Sequence, residues 1–229
     1  MNDGCFTTAV ILAAGLGTRM MAKTTKQQMK ICGESVLFRA VRAFEEAEKI
    51  NAIVAVCRED ELDFAKEELK TFKKLTDIVV GGSDRRQSAK RGFDACHGAD
   101  FVAIHDAARC MITPECVDEV VSAAHKHGAA SAVGQVVDTV KLLNSDGAIE
   151  KTVPRDGLCF AQTPQVFSSE IYKRALDASE GIAVTDDNMM AELINARIKA
   201  VEVGGYNFKI TTWKDIEYAE FLIEKGYVK

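Results

Sequence analysis

Three things are scarce in this 229-residue chain, and each scarcity argues against a class of protein. Basic charge is not in excess: 29 Lys and Arg stand against 34 Asp and Glu, for a formal net charge of -5. A nonspecific polyanion binder usually carries a basic surface, so a nucleic-acid partner is not expected and any anion site must be a local concentration of cations. Paired cysteines are missing as well. Cys5, Cys32, Cys57, Cys96, Cys110, Cys116 and Cys159 are scattered with no C-x-x-C pair and no clustered histidines, which is not a zinc pattern. An odd, dispersed set suits reduced, packed thiols better than a disulfide framework. Finally, the apolar run near the N-terminus is too short for a membrane span, and Asp3 stands where a signal peptide would carry basic residues. The chain is expected to be soluble and cytoplasmic, with no membrane partner.

What is present points to a single domain over residues 1–229, since 47% hydrophobic content at this length supplies one sizeable core and neither repeats nor linkers interrupt it. Apolar, β-branched runs read as strands at 8–13, 52–56, 77–80, 101–104 and 130–133. Amphipathic segments read as helices at 35–47, 61–71, 86–95 and 114–127. In the first of these Val36, Leu37, Ala40, Val41 and Phe44 share one face, and in the last Thr113 followed by Pro114 is a capping start. Alternating strands and helices imply an α/β, Rossmann-like three-layer sandwich around a mostly parallel sheet. Ligands of such sheets bind beyond the carboxyl ends of the strands. "AAGLGTR" follows the first strand, "GGSDRRQS" the third and "HDAAR" the fourth.

Residues 136–153 behave differently. Polar and apolar residues alternate on either side of Ser145, Asp146 and Gly147, the pattern of a hairpin. A two-stranded arm needs something to pack on, either its own domain or a second subunit.

The glycine loop after the first strand is not a dinucleotide fingerprint, because Met20 stands where the third glycine belongs and no acidic residue is placed to hold a ribose. Nor does it carry the G-x-x-x-x-G-K-[ST] of a Walker loop. What remains is a strand, Gly15 and Gly17 to let backbone N–H groups approach an anion, and then Arg19 and Lys26. That combination suits a triphosphate whose charge grows during reaction.

Taken in order, "AAGLGTRM", "KQ" at Lys26, "GGSDRRQS", "HDAAR", Asp138 with Thr139, "RDGL" from Arg155, "TPQVF" from Thr163, "TD" at Thr185 and "NFKIT" from Asn207 resemble one family. It is that of the isoprenoid-pathway nucleotidyltransferases coupling CTP to 2-C-methyl-D-erythritol 4-phosphate. The resemblance implies that Arg19, Lys26, Arg155 and Lys209 are catalytic, the first two at the α-phosphate and the others on the acceptor. It implies a CTP site lined by Ala13, Ala14, Gly15, Gly17, Gly82, Ser83, Ser88 and Ala107, and an acceptor site with Asp106, Arg109, Thr139 and Thr163. It implies Mg²⁺ held mainly by CTP phosphates, with no certain protein ligand, and a homodimer joined through a protruding 136–153 arm that lends residues to the partner's site. Relatives acting on ribitol 5-phosphate or other alditol phosphates share the core but usually read A-G-G-x-G and H-D-S-V-R. A nucleotide-binding module whose chemistry has decayed is the reading of another class.

Three positions depart from the family pattern. Thr25 and Cys110 replace prolines, and Ser83 stands where an acidic residue is common. Losing the ring at position 25 is expected to leave the Lys26 loop less pre-ordered, so that Thr25→Pro would tighten CTP binding. Elsewhere Trp213 reads as packing at a helix start, with Thr212 and Asp215 as a capping box. His105 reads as a hydrogen-bonded structural histidine, and His97, His125 and His127 as helix-end or surface residues. "EEAEK" reads as a solvated helix face and "TFKK" as a polar helix end.

Overall fold

The computed structural model describes residues 4–15 and 25–228; Gly17 and Arg19 lie outside these. The chain runs β1 (Thr7–Leu12), β2 (Lys30–Ile31), β3 (Glu34–Ser35), α1 (Val36–Glu46), β4 (Ala52–Cys57), α2 (Leu62–Leu69), β5 (Leu75–Val80), α3 (Arg85–Asp94), β6 (Phe101–Asp106) and α4 (Pro114–His127). It continues through β7 (Ala129–Gln135), β8 (Val140–Leu143), β9 (Ile149–Val153), β10 (Cys159–Ser168), α5 (Ser169–Ala178), α6 (Asp187–Glu192), β11 (Lys199–Glu202) and α7 (Trp213–Glu224). Two 3-10 turns, Lys26–Gln28 and Glu59–Glu61, flank the start of this series.

Seven strands form one sheet in the order β11-β7-β10-β6-β1-β4-β5. All run parallel except β10, which is antiparallel to both β6 and β7. The six residues of β1 are all buried, as a strand covered on both faces requires. Ala9, Ile11 and Ala13 pack into one cluster with α1, α2, α4 and α7, while Val10 and Leu12 face a second with α3, α5 and α6. That is the three-layer α/β sandwich expected from the alternation. Every residue of the predicted α1 face is buried.

β10 itself is absent from the sequence reading, for a physical reason. Pro164 lies in its middle, and a proline demotes a run to an edge or an irregular segment because it cannot donate to the ladder. Here the pairing with β7 shifts register between Ala161 and Gln165, so the irregular stretch around Pro164 is accommodated inside the sheet. The antiparallel direction then carries the early residues of β10 to the end of the sheet where the parallel strands finish.

The arm is a separate two-stranded sheet of β8 and β9. Its turn is closed by Asn144, whose side-chain oxygen accepts from the N–H groups of Asp146 at 3.1 Å and Ala148 at 2.9 Å, while Gly147 takes the left-handed φ of 79°. Residues 141–152 are all exposed, including Leu142, Leu143 and Ile149. The hairpin therefore does not pack on its own domain.

Two expectations need correction. Trp213 is 56% exposed rather than packed, although Asp215 does complete the capping box, accepting from the Thr211 and Thr212 N–H groups at 2.7 Å each. His125 stands in the last turn of α4, as read, and is half-buried there, with Nε2 2.8 Å from the Thr7 hydroxyl and its ring 4.6 Å from that of Phe101. Glu45, in the "EEAEK" run, is not merely solvated: its carboxylate accepts from the N–H groups of Lys73 and Lys74 and so ties "TFKK" to α1. The Glu45 contacts come from residues distant in sequence, whereas nothing among the described residues packs over Trp213 enough to bury it. Among the described residues, no helix is long and apolar enough to cross a membrane.

Candidate active site

The sheet order places a topological switch between β1 and β6, since the chain moves from β1 out to β4 and β5 and then returns to the other side of β1. Crevices beyond the strand ends open at such points. A cleft of roughly 340 Å³ lies there, lined by Ala14, Gly15, Lys26, Gln27, Gly82, Ser83, Asp84, Arg85, Ser88, Asp106, Ala108 and Lys209, with Leu12 at its base.

One wall is the turn into α3. A Cβ on Gly81 would meet that of Ala14 at 2.4 Å, and one on Gly82 would meet that of Gln87 at 2.3 Å, so the two glycines are needed because chain segments approach closely. Asp84 caps α3 by accepting from the Gln87 N–H at 2.8 Å. The Ser88 hydroxyl accepts from the Gly82 N–H at 3.0 Å and donates to the Asp84 carbonyl at 2.8 Å. The wall is thus a stiffened loop at a helix N-terminus, a place that favours anions.

A second, polar cleft of roughly 260 Å³ adjoins it, lined by Arg109, Ala161, Gln162, Thr163, Gln165, Thr185 and Asp186. The two clefts share Arg85, Asp106 and Lys209. Asp106, the last residue of β6, accepts from the Lys209 ammonium at 2.6 Å and lies 3.4 Å from the Arg85 guanidinium. Burial pushes its carboxyl up, but those two cations outweigh burial and hold it at about 2. Arg85 also pairs at 2.6 Å with Asp187, a fully buried carboxylate that accepts from the Tyr172 hydroxyl at 2.7 Å. A buried carboxylate needs such partners, and substituting Arg85 alone would strand it. Arg86, one position on, points away and donates instead to Ser179 and the Leu176 carbonyl.

Arg109 lines the second cleft while donating to the Asn207 carbonyl at 2.9 Å, which fixes the segment carrying Lys209. Asn207 is itself buried and donates to the Thr163 carbonyl at 2.8 Å. The Thr163 hydroxyl accepts from the Asp106 N–H at 3.1 Å and lies 3.0 Å from His105 Nδ1.

His105 is fully buried beside the Phe44 ring, and burial lowers its pKa to about 3, so it is neutral and structural, as the sequence reading holds. A stability prediction follows from the sign of that shift. Between about pH 6.5 and 3 the unfolded chain binds a proton that the native state refuses, so His105 contributes stability above this window that is lost as pH falls through it. The slope is about 1.4 kcal/mol per pH unit for one proton. Urea unfolding from about pH 7 down to about pH 4 should show wild-type stability falling by that much more per unit than in His105→Gln. Parallel curves would show that the imidazole is not held neutral.

Of the residues singled out from sequence, Ala14, Gly15, Lys26, Gly82, Ser83, Ser88, Asp106 and Lys209 meet in the first cleft, and Arg109 and Thr163 join Asp106 and Lys209 in the second. Ala13 and Ala107 are buried behind the first cleft rather than lining it. Arg155 and Thr139 lie with the arm and line neither cleft; the Arg155 guanidinium donates to the Val137 carbonyl. Cys110, in place of a proline, is buried and its thiol is pushed up to about 12, an unreactive packed group. Arg85, Gln165 and Asp186 lie inside quoted motifs, but the sequence reading gave them no role of their own. The only signal for Arg85 was the charged pair in "GGSDRRQS", and nothing local says which arginine turns toward the cleft.

The sequence pattern of one protein family, 2-C-methyl-D-erythritol 4-phosphate cytidylyltransferase (IspD), matches residues 7–225 of this chain. The chain belongs to that family. A family member of that name from Clostridium acetobutylicum is 36% identical over 226 residues, covering 96% of this chain and 99% of its own. Another from Caldanaerobacter subterraneus is 37% identical over 229 residues, covering 95% and 98%. Among solved structures, the 4-diphosphocytidyl-2C-methyl-D-erythritol synthase of Anaerococcus prevotii superposes with a TM-score of 0.87 at 28% identity over 97% of this chain and 98% of that one. The 2-C-methyl-D-erythritol 4-phosphate cytidylyltransferase of Thermus thermophilus gives 0.79 at 26% identity over 96% and 99%.

Proposed function

We propose that this IspD-family chain is a cytidylyltransferase that moves the cytidylyl group of CTP onto 2-C-methyl-D-erythritol 4-phosphate. The products are 4-diphosphocytidyl-2-C-methyl-D-erythritol and pyrophosphate. The observation that carries the reading is the pair of clefts meeting at Asp106, Lys209 and Arg85, one suited to a triphosphate and one to a polyol phosphate.

In this reading an acceptor phosphate oxygen forms a bond to the α-phosphorus of CTP as the bond to the bridging oxygen breaks, in line, and pyrophosphate leaves. The acceptor is already an anion, so no general base is required, which agrees with the neutral, sequestered His105. Catalysis is alignment and charge neutralisation. Lys26, with Arg19, neutralises the α-phosphate. Ala14, Gly15 and Gly82 offer backbone groups to the nucleotide, with Ser83 and Ser88 from the α3 turn and Ala13, Gly17 and Ala107 supporting them. Lys209 holds the acceptor phosphate and is aimed by the ionised Asp106, while Arg109 and Thr163 shape the acceptor cleft.

Mg²⁺ would be held mainly by the oxygens of the triphosphate, with no certain protein ligand. Among the described residues no group of three or more His, Cys, Asp or Glu side chains is arranged to hold a metal, and Asp106 is already engaged by Lys209, so the donors fit an ion carried by phosphate oxygens. When bound, it withdraws charge from those oxygens. The protein works in the cytoplasm as a single nucleotidyltransferase domain, in keeping with free thiols at all seven cysteines. It is a homodimer whose exposed 136–153 arm carries Arg155 and Thr139 to the partner's acceptor site.

The test is a pyrophosphate-release assay with CTP, Mg²⁺ and either methylerythritol phosphate or ribitol phosphate. Turnover is expected with the first acceptor. Turnover with ribitol phosphate alone would move the chain to the alditol branch, and none with either would make it a binding module.

A further inference from the structure

Lys26 begins the 3-10 turn Lys26–Gln28, so whatever fixes that turn also fixes the cation. Downstream the anchoring is burial: Gln27, Met29 and Ile31 are buried, and the Val36 N–H donates to the Met29 carbonyl at 2.9 Å. At the upstream end stands Thr25, in the N-cap position with φ -70° and ψ 157°. A threonine there ordinarily turns its oxygen back to accept from its own first turn. Thr25 makes no such bond; its hydroxyl donates instead to the Glu61 carboxylate.

Glu61 is a firm point of attachment. It ends the 3-10 turn directly after β4, its N–H donates to the Arg58 carbonyl at 3.1 Å, and only 3% of it is exposed. β4 is buried along its whole length and hydrogen-bonded to β1 and β5 on its two sides. The bond therefore joins the start of the Lys26 turn to the interior of the sheet across 36 residues of sequence.

We infer that Thr25 and Glu61 are a positioning pair: their hydrogen bond seats the Lys26 turn against the end of β4 and so aims the Lys26 ammonium at the reacting phosphate. The inference rests on the cytidylyltransferase reading of the site. The observed φ is also the one a proline ring would impose, so the side-chain bond accompanies a backbone angle that a proline could fix covalently. It follows that Thr25→Pro is not the simple gain the sequence suggests. The ring would keep the angle but strip a donor from a nearly buried carboxylate.

The test uses the full-length enzyme with CTP, methylerythritol phosphate and Mg²⁺, measuring kcat and KM separately. Thr25→Val, which keeps the shape and deletes the hydroxyl, should lower kcat about tenfold with KM for CTP changed by less than about twofold. Thr25→Ser should restore most of that kcat. Thr25→Val should add nothing to Glu61→Ala, because the two substitutions remove one bond. Amide exchange over residues 25–31 should quicken in Thr25→Val while exchange in β4 does not, which separates a loosened turn from general unfolding. Wild-type kcat in Thr25→Val, an equal loss in Thr25→Ser, or additive losses in the double variant would overturn the inference while leaving the function standing. A wild-type enzyme inert with either acceptor would bring down both.

Discussion

Lys26→Ala should lower kcat by about 10²–10³-fold while weakening CTP binding only a few-fold. Lys26 lines the glycine-walled cleft with Gly15 and Gly82, at the side where β1 ends, so its charge borders the space where phosphoryl oxygens would gather charge as the new bond forms. An interaction that strengthens between ground state and transition state appears in kcat; one that is equal in both appears only in affinity. Lys26→Arg should keep the charge but misplace it, because a planar fork on a longer stem does not end where an ammonium does. Steady-state kinetics paired with calorimetric CTP titration would check this. Equal losses in kcat and affinity would reduce Lys26 to a ground-state contact.

Arg155→Ala should be as inactive as Lys26→Ala when each is assayed alone, yet an equimolar mixture of the two, refolded or co-expressed together, should recover activity. In one chain Arg155 stays on the exposed arm, apart from both clefts. If the arm completes the partner's site, a mixed dimer pairs an intact Lys26 with an intact Arg155 in one of its two sites. Half of the dimers are mixed, so about a quarter of wild-type activity is expected. Leu142, Leu143 and Ile149, apolar and exposed, are the residues such an exchange would cover. A mixture no more active than its components would mean that each arm serves its own subunit, and a monomer by sedimentation would remove the exchange altogether.

Different elements were legible in the sequence to different degrees. β1, α1 and α4 could be read directly because their hydrophobic periods and capping residues are local, and the structure gives α4 the predicted bounds, Pro114–His127. Gly15 was legible because backbone approach to an anion leaves few choices of residue, whereas Gly82, Ser83 and Ser88 were read through the family resemblance. β10 was not, because Pro164 masks a central strand as an edge or a loop. Trp213 was misread because exposure depends on what the rest of the chain brings alongside. Arg85 was overlooked because its partners, Asp106 and Asp187, are 21 and 102 positions away and meet it only once the sheet has formed.

The sequence by itself determined the α/β class, the strand ends that carry the clefts and the family, since each rests on local pattern or residue identity. Tertiary structure alone decided how those residues are held. It set Asp106 between Lys209 and Arg85, left the arm and Arg155 outside their own chain's clefts, and gave Thr25 a buried carboxylate as its partner. Long-range electrostatics and burial depend on distances that no spacing along the chain encodes.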